Sequence, residues 1–304
     1  MIVSAELRSQ VMKGLGADTM VVKYDPALRM PVVDYGVRSR IRIGRRINPL
    51  HLSLYACKEL HLERITGPIV IPRVKETETI EYVERVADWL LLNQKSRGDY
   101  SVWEIDFPWP PAHLTPPWIS ALSEAFGALV LVEMGHRKDA LLHLRSMLTD
   151  FKDGGVGWYV EDKLWFLEYP SANPALVLNG MMHCLLILQE CADRLGDATL
   201  RRGFCVAYKT LKHDIGLFDA SFYTYYDSLK VPADKKYHRI HLGLIRTLYE
   251  STADPYFLPW ISRWEEYEKW YSIIEPVIFA RHLLKISKLL HNDEQFSRNA
   301  YQKK

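Results

Sequence analysis

Leu167-Glu168-Tyr169-Pro170-Ser171-Ala172-Asn173-Pro174 is the segment around which the predicted fold is organised, because it leads directly into a nearly unbroken apolar run, 175–188. Such a run is typical of a helix that is buried on all sides. Pro170 and Pro174 favour extended backbone ahead of the run, so the sequence predicts that a helix begins at Ala175. Glu168 and Tyr169 then lie at the mouth of this helix, where loops often carry chemistry.

The composition is that of an ordinary globular chain of 304 residues, 48% hydrophobic and 25% charged, which is long enough to bury a large core. A net charge of +2 does not indicate nucleic-acid binding, whereas 17 Tyr and 9 Trp indicate aromatic platforms of the kind that bind sugars. The start of the sequence lacks a signal-peptide pattern, and no window is apolar for the roughly 20 residues of a membrane span. We therefore expect a cytoplasmic protein without a membrane span.

Residues 1–47 are predicted to form an N-terminal β arm, with short strands at 20–24, 32–33 and 39–43 between turn residues. Arg38, Arg40 and Arg42 would share one face of the last strand and suit a row of anionic groups. The alternative interpretation is a plain solvated strand face.

Residues 48–304 are predicted to be mainly α, because inner helices that are apolar nearly all round alternate with outer helices that carry one apolar stripe. Asn48 and Pro49 are expected to cap and open the first inner helix. The pattern predicts an incomplete α/α toroid of about four helical hairpins, with short β-hairpins at 156–167 and 217–227 on the rim of a cleft. The expected helices are 49–60, 80–94, 118–134, 137–149, 175–188, 197–212, 238–249, 257–267 and 276–290.

In such a toroid the segments that feed the inner helices converge at one end, and there they form one cleft. Trp103 and Trp118 are predicted to bind substrate there as aromatic platforms. Glu168 lies at the same end, together with Tyr226 and Tyr237.

A Glu among tyrosines, without a nucleophile elbow, a phosphate-binding glycine loop or a metal signature, fits proton transfer at carbon. Removing the α-proton of a carboxylate needs a base, a proton donor on the opposite face and a group that neutralises the enolate. Each residue also has an ordinary structural interpretation: Glu168 as an exposed loop acid, Tyr226 as part of an aromatic strand, and His238 with His241 as core residues rather than metal ligands. We expect no metal and no organic cofactor.

Several motifs resemble those of one known family. They are Glu168-Tyr169-Pro170 with Val177-Leu178-Asn179-Gly180, then Gly216-Leu217-Phe218-Asp219, then Thr224-Tyr225-Tyr226-Asp227, and finally Tyr237-His238-Arg239-Ile240-His241. In order and spacing they resemble the C-terminal domain of the D-glucuronyl C5-epimerases, which invert glucuronate to iduronate in heparosan-type polysaccharides. The similarity extends from about residue 89 to 264.

The resemblance implies an epimerase that inverts C5 of a uronate residue in an oligo- or polysaccharide, with an α/α helical domain and, as is frequent in the family, a homodimer. It places Glu168, Tyr169, Tyr226 and Tyr237 at the family's catalytic acid-base position, with Asn179 as a structural or substrate-binding residue.

Two departures from the family bear on the substrate. The segment between Leu60 and Thr79 has no room for the family's β-barrel, and the family's Arg after the Tyr226-Asp227 pair is replaced by Ser228-Leu229-Lys230. We expect Lys230 and His238 to bind substrate, and either could supply the positive charge or hydrogen bonds that favour a tyrosine phenolate.

Two other functions compete with epimerisation. A uronan lyase forms the same enolate and then expels the C4 substituent, and Tyr237 with His238 would suit that reaction. A carbohydrate-binding toroid without catalysis is the second alternative, because the barrel and the Arg are missing.

Overall fold

The helical body carries small antiparallel sheets at its N-terminal side and along its rim. In this computed structural model, residues 21–38, 41–68 and 79–301 are described. The helices in chain order are α1 (Pro49–Glu59), α2 (Glu63–Thr66), α3 (Thr79–Asn93), α4 (Ala121–Glu133), α5 (Arg137–Leu148), α6 (Leu178–Leu195), α7 (Ala198–Asp214), α8 (Lys235–Thr252) and α9 (Leu258–Tyr301). The prediction of a mainly α fold is confirmed.

The N-terminal arm contains two small sheets. The first has strand order β1 (Val21–Asp25), β2 (Met30–Asp34) and β5 (Arg45–Arg46), with Val22 opposite Val33 and Val33 opposite Arg46. The second consists of β3 (Val37–Arg38) and β4 (Ile41–Arg42), which are also antiparallel. The boundary between arm and body near residue 47 stays a prediction.

The predicted strand at 39–43 is wrong, because the chain reverses direction between Arg38 and Ile41, which are paired across the hairpin. Arg38 is buried, whereas Arg42 is exposed, so these two guanidinium groups do not share a face. Arg40 lies outside the described residues.

Four helices form an inner layer in which each packs on the next: α1 on α4, α4 on α6, and α6 on α8. Each inner helix also packs on a more peripheral one, so that α3, α5, α7 and α9 cover α1, α4, α6 and α8 in turn. The predicted alternation of inner and outer helices is therefore present. Closure of these hairpins into a toroid stays a prediction.

The first inner helix begins as its sequence predicts. Asn48 has extended backbone, and its side chain accepts a hydrogen bond from the Leu50 N–H at 2.9 Å, while Pro49 occupies the first turn, where no N–H is needed. The predicted cap is confirmed.

The helix predicted to begin at Ala175 begins three residues later, at Leu178, because the segment before it pairs with the backbone of another loop. Val177 forms a β-bridge with Asp227, and the Leu178 N–H donates to the Tyr226 carbonyl at 3.1 Å. This pairing holds the backbone extended up to Val177. The predicted start was wrong because a non-local hydrogen bond decides it.

The last two predicted helices, 257–267 and 276–290, are one continuous helix, α9, with Pro276 in its interior. The predicted break before Pro276 was wrong.

The rim carries β8 (Gly157–Val160) and β9 (Lys163–Phe166), which follow the shorter pair β6 (Lys95–Ser96) and β7 (Ser101–Val102). The hairpin predicted at 156–167 is confirmed. Residues 217–227 instead begin within a 3-10 turn, Ile215–Phe218, and pair with one another through the isolated bridge between Asp219 and Thr224, while Tyr225 and Asp227 form bridges to Pro232 and Val177. The hairpin predicted at 217–227 is therefore not formed as regular strands.

Within the described residues, no helix is both long and apolar enough to cross a membrane. The same part of the chain contains no group of His, Cys, Asp and Glu that is arranged to hold a metal ion. The four cysteines are free thiols; Cys57, Cys184 and Cys191 are buried, and Cys205 is exposed on α7.

Candidate active site

Glu168 is a buried carboxylate at the end of the β8–β9 hairpin. Its predecessor Leu167 is fixed on both sides, since its N–H donates to the Val156 carbonyl and its carbonyl accepts from the Ala121 N–H, both at 2.9 Å. The backbone therefore leaves the hairpin at a fixed place, and this places Glu168 next to the start of α4. Glu168 is only 8% exposed, so it is not an ordinary exposed loop acid.

Gly180, in the first turn of α6, allows the Glu168 carboxylate to approach the helix backbone. A Cβ at this glycine would lie 3.2 Å from Glu168 Oε2 and 3.6 Å from Glu168 Cβ. The positive end of the helix dipole favours a negative charge at this place. The close contact, and not an unusual backbone angle, therefore favours glycine at this position.

Three phenols continue from Glu168 as a connected row. The Tyr169 side chain interacts with the Glu168 carboxylate and with Tyr226. Tyr226 in turn interacts with Tyr237, and the rings of these two tyrosines meet edge to face with centroids 4.8 Å apart. All three rings are partly exposed. The four predicted catalytic residues therefore form one cluster, which we call the Glu-Tyr row.

The electrostatics of the Glu-Tyr row favour neutral phenols at neutral pH. Burial is the main cause that raises the pKa of Tyr169, Tyr226 and Tyr237 above the usual value near 10, and the Glu168 charge raises all three further. Hydrogen bonds with Tyr226 act in the opposite direction on Tyr169 and Tyr237. In the free protein the row therefore consists of three proton donors beside one carboxylate.

The contact between Tyr226 and Tyr237 excludes an arrangement in which these two phenols lie on opposite faces of a sugar. A centroid distance of 4.8 Å leaves no space for a sugar ring between these two side chains. They therefore do not lie on opposite sides of a substrate, but side by side in direct contact.

A hydroxyl and two histidines hold the loop of Tyr226 on the helix of Tyr237. Thr224 Oγ1 lies 3.1 Å from Nδ1 of His238 and 3.1 Å from Nδ1 of His241, both on α8. All three residues are buried. Because Tyr226 follows Thr224 by two residues and Tyr237 precedes His238, this cluster fixes the spacing of the two phenols.

Aromatic side chains form the wall on the other side of Tyr169. Its ring stacks at 15° on Trp109, with centroids 6.5 Å apart, and lies 6.3 Å from the ring of Trp118. Trp109 is met at 5.7 Å by Tyr35 of the N-terminal arm, whose hydroxyl accepts a hydrogen bond from Asn48 at 2.6 Å. The arm thus contributes to the packing around the site.

The predicted substrate-binding residues differ in their exposure and in their position relative to the Glu-Tyr row. Trp118 is partly exposed beside Tyr169, and Asn179 lies in the first turn of α6 with a buried Oδ1 that has no hydrogen-bond partner in the described part of the chain. Lys230 is exposed on the turn that follows Tyr226.

Two other predicted substrate-binding residues lie in the core. Trp103 is 1% exposed, donates from Nε1 to the Leu90 carbonyl at 2.8 Å and stacks on His143. His238 is fully buried, with one ring nitrogen beside Thr224 and the other 3.0 Å from the Trp264 carbonyl. Both side chains are occupied with internal bonds, so we correct their expected role from substrate contact to structural support.

Sequence reasoning missed three supporting residues. Gly180 and Asp227 were quoted as members of the family motifs without a role of their own, and Tyr35 was not singled out. Asp227 accepts from the N–H groups of Leu229 and Val231 at 3.0 and 3.2 Å and so shapes the turn after Tyr226. The signal for Asp227 was available, since Asp commonly binds backbone two residues ahead in turns.

Comparison with known proteins agrees with the position of this cluster. The family profile described as D-glucuronyl C5-epimerase C-terminus matches residues 97–266, which is more than half of the chain and includes every member of the Glu-Tyr row. An uncharacterized protein of Methanocaldococcus jannaschii is 24% identical over 270 residues, covering 79% of this chain and 83% of that protein.

A named relative matches a shorter part. The D-glucuronyl C5-epimerase of Caenorhabditis elegans is 27% identical over 208 residues, which cover 60% of this chain and 34% of the worm enzyme. The matched region is thus about a third of that protein. From the match over residues 97–266, the chain belongs to the D-glucuronyl C5-epimerase C-terminus family.

Proposed function

We propose that this protein is a uronate C5-epimerase that acts on an oligo- or polysaccharide. The observation that carries the proposal is the Glu-Tyr row, a buried carboxylate clustered with three partly exposed, interacting phenols within the family's matched region. Such a row contains a proton acceptor and several proton donors in one place, as proton exchange at carbon requires.

The reaction breaks the C5–H bond of the uronate, moves that proton to a base and leaves an enolate on the adjacent carboxylate. A proton then returns to C5 from the opposite face, so the sugar is inverted and nothing is oxidised or reduced. This chemistry needs no organic cofactor. Each transfer by a positioned acid or base contributes a factor of roughly a hundred to ten thousand in rate.

We assign the two faces of the sugar to the two ends of the Glu-Tyr row. Tyr226 and Tyr237 touch each other and therefore serve one face together. Tyr169, with Glu168 behind it, serves the other face, and the Glu168 carboxylate accepts the proton that Tyr169 passes on. Asn179, with its unpartnered buried oxygen among the described residues, is proposed to accept a hydrogen bond from a substrate hydroxyl.

We take a heparosan-type glucuronate polymer as the first substrate to test, because the named family acts there. Trp118 is proposed as the aromatic platform beside the reacting sugar. A homodimer and a cytoplasmic location stay predictions.

The test follows deuterium at C5. Heparosan, chondroitin and alginate oligosaccharides are incubated with the protein in deuterated water and examined by NMR and mass spectrometry. We expect label at C5 together with inverted sugars in intact chains. No exchange into any of these uronans would overturn the proposal, and tight binding without exchange would support a carbohydrate-binding protein instead.

The same products distinguish the lyase. Chain cleavage with an unsaturated uronate that absorbs ultraviolet light would identify elimination. The structure gives this alternative less support than the sequence does, because His238, the expected partner of Tyr237, has both ring nitrogens in contact with Thr224 and the Trp264 backbone.

A further inference from the structure

A lysine ammonium lies beside one end of the Glu-Tyr row. Nζ of Lys236 is 5.7 Å from the centroid of the Tyr237 ring, within the range of a cation–π contact. Lys236 is exposed in the first turn of α8 and, among the described residues, forms no ion pair with a carboxylate. Its charge is therefore available to an external anion that approaches Tyr237.

The neighbouring lysine is oriented differently. Nζ of Lys235 donates to Ser272 Oγ on α9, and its backbone N–H donates to Glu275 Oε1 at 2.8 Å. Asp234 caps α8 and accepts from the Tyr237 N–H at 2.7 Å, which fixes the backbone of this turn. Of two adjacent lysines, one thus faces α9 and the other lies over the ring of a proposed proton carrier.

A uronate substrate requires a cation at this place. Its carboxylate is attached to C5, so it must enter a site that already contains the buried Glu168 charge, and further negative charge develops on it as the enolate forms. The charges that act most strongly on Tyr237 are those of Glu168 and Asp234, both of which raise the pKa of the phenol. An ammonium group beside the ring offsets this repulsion for the substrate.

We propose that Lys236 binds the carboxylate of the reacting uronate over Tyr237 and so selects a uronate over a neutral sugar. This inference rests on the proposed function, and it gives the carboxylate contact to Lys236 and not to Lys230 or His238, the basic residues predicted to bind substrate. His238 is buried with both ring nitrogens in internal contacts. Lys230 lies on a turn at positive φ, and its ammonium makes no contact with the Glu-Tyr row in the described structure.

The experiment compares Lys236→Met, Lys236→Arg and the matched control Lys235→Met. Affinity is measured by calorimetry for a glucuronate oligosaccharide of heparosan type and for the same oligosaccharide with its carboxyl groups reduced. We expect Lys236→Met to weaken binding of the uronate form about two- to fivefold, as for an exposed ion pair, and to leave binding of the reduced form unchanged. Lys236→Arg should restore most of the preference, and Lys235→Met should behave like the parent protein.

An unchanged preference in Lys236→Met, or an equal loss in Lys235→Met, would overturn the assignment. The outcome is separate from the proposed function, because exchange at C5 by the parent protein tests the latter. If the parent protein binds the oligosaccharide without exchange, the calorimetric comparison still decides the role of Lys236. If it binds neither form, both the assignment and this choice of substrate are overturned.

Discussion

The rings of Tyr226 and Tyr237 meet edge to face, with centroids 4.8 Å apart and planes at 73°. Two residues from different segments, one on a loop and one on α8, thus form a single polar edge. Because no sugar fits between them, the proposed function assigns the second face of the substrate to Tyr169 with Glu168, the neighbouring group in the row. This relationship leads to different predictions for each phenol.

Removing the phenol hydroxyls at one end of the Glu-Tyr row at a time should separate the two faces. We expect Tyr169→Phe and the double variant Tyr226→Phe/Tyr237→Phe each to abolish inversion, because one face then lacks its proton carriers. Each variant should still wash label out of C5 of one epimer, and the epimer should differ between the two variants. The losses should be roughly a hundred- to ten-thousandfold.

The measurement uses both epimers labelled with deuterium at C5, with Tyr256→Phe, a tyrosine outside the row, as the control for general effects. If both variants retained exchange for the same epimer, the assignment of opposite faces would be wrong.

Gly180→Ala should reduce activity without unfolding the protein. The added methyl group would lie 3.2 Å from Glu168 Oε2 and push the carboxylate from its place. A displacement of this kind costs roughly ten- to a hundredfold in kcat. Alanine is favoured over glycine in a helix by about 0.5–1 kcal/mol, which offsets part of the crowding, so the unfolding free energy should change by less than about 1 kcal/mol.

Gly216→Ala is the matched control, because its methyl group would meet only the Trp260 ring, at an ordinary 3.6 Å. Steady-state kinetics and urea denaturation of both variants check the prediction. Parent-like kcat in Gly180→Ala would show that the position of Glu168 does not matter.

Trp109→Phe should lower kcat by several-fold, since the smaller ring no longer covers the face of Tyr169 on which the indole stacks. Trp270→Phe is the control, because Trp270 is 56% exposed on α9. Comparison of kcat and KM in the two variants measures the effect. A similar change in both would indicate that Trp109 acts only on general stability.

Buried histidines should make the fold sensitive to acid. Burial lowers the pKa of His183 to about 4 and that of His241 to about 3, from the ordinary 6.5. Above pH 6.5 these histidines are neutral in both the folded and the unfolded protein, so their titration does not reduce the unfolding free energy. As the pH falls below 6.5 only the unfolded chain binds these protons, so the unfolding free energy falls by about 1.4 kcal/mol per pH unit for each histidine, down to the folded pKa.

Urea denaturation between pH 7 and pH 5 checks this dependence. His241→Asn keeps a group near the position of Nδ1 to meet Thr224 and removes one titrating ring, so it should reduce the slope by about one proton. The same slope in the variant would contradict the account.

The sequence predicted those features that depend on local chemistry. Asn48 caps α1 because its side chain and Pro49 suffice for that role, and Glu168 lies at a helix mouth because the flanking prolines exclude a helix there. The identity of the Glu-Tyr row was expected from the family resemblance, but the contact between Tyr226 and Tyr237 was not. The distance between these two rings depends on the buried contacts of Thr224, and no local sequence pattern indicates those contacts.

Non-local contacts explain the remaining errors. The start of α6 depends on a bridge from Val177 to Asp227. Trp103 was expected at the cleft because of its place in the chain, but it is buried by stacking on His143 of α5. Lys236 was not predicted as a site residue because nothing in the sequence distinguishes it from its neighbour Lys235. Only the structure shows that the two ammonium groups point in different directions.

The most direct test of the central claim compares the parent protein with Glu168→Gln for deuterium uptake at C5 of heparosan oligosaccharides. Glu161→Gln, an exposed carboxylate in the turn of the same β8–β9 hairpin, is the matched control. We predict uptake by the parent and by Glu161→Gln, and a loss of roughly a hundred- to ten-thousandfold in Glu168→Gln, because the row then lacks its proton acceptor. Parent-like uptake in a folded Glu168→Gln protein would contradict the account.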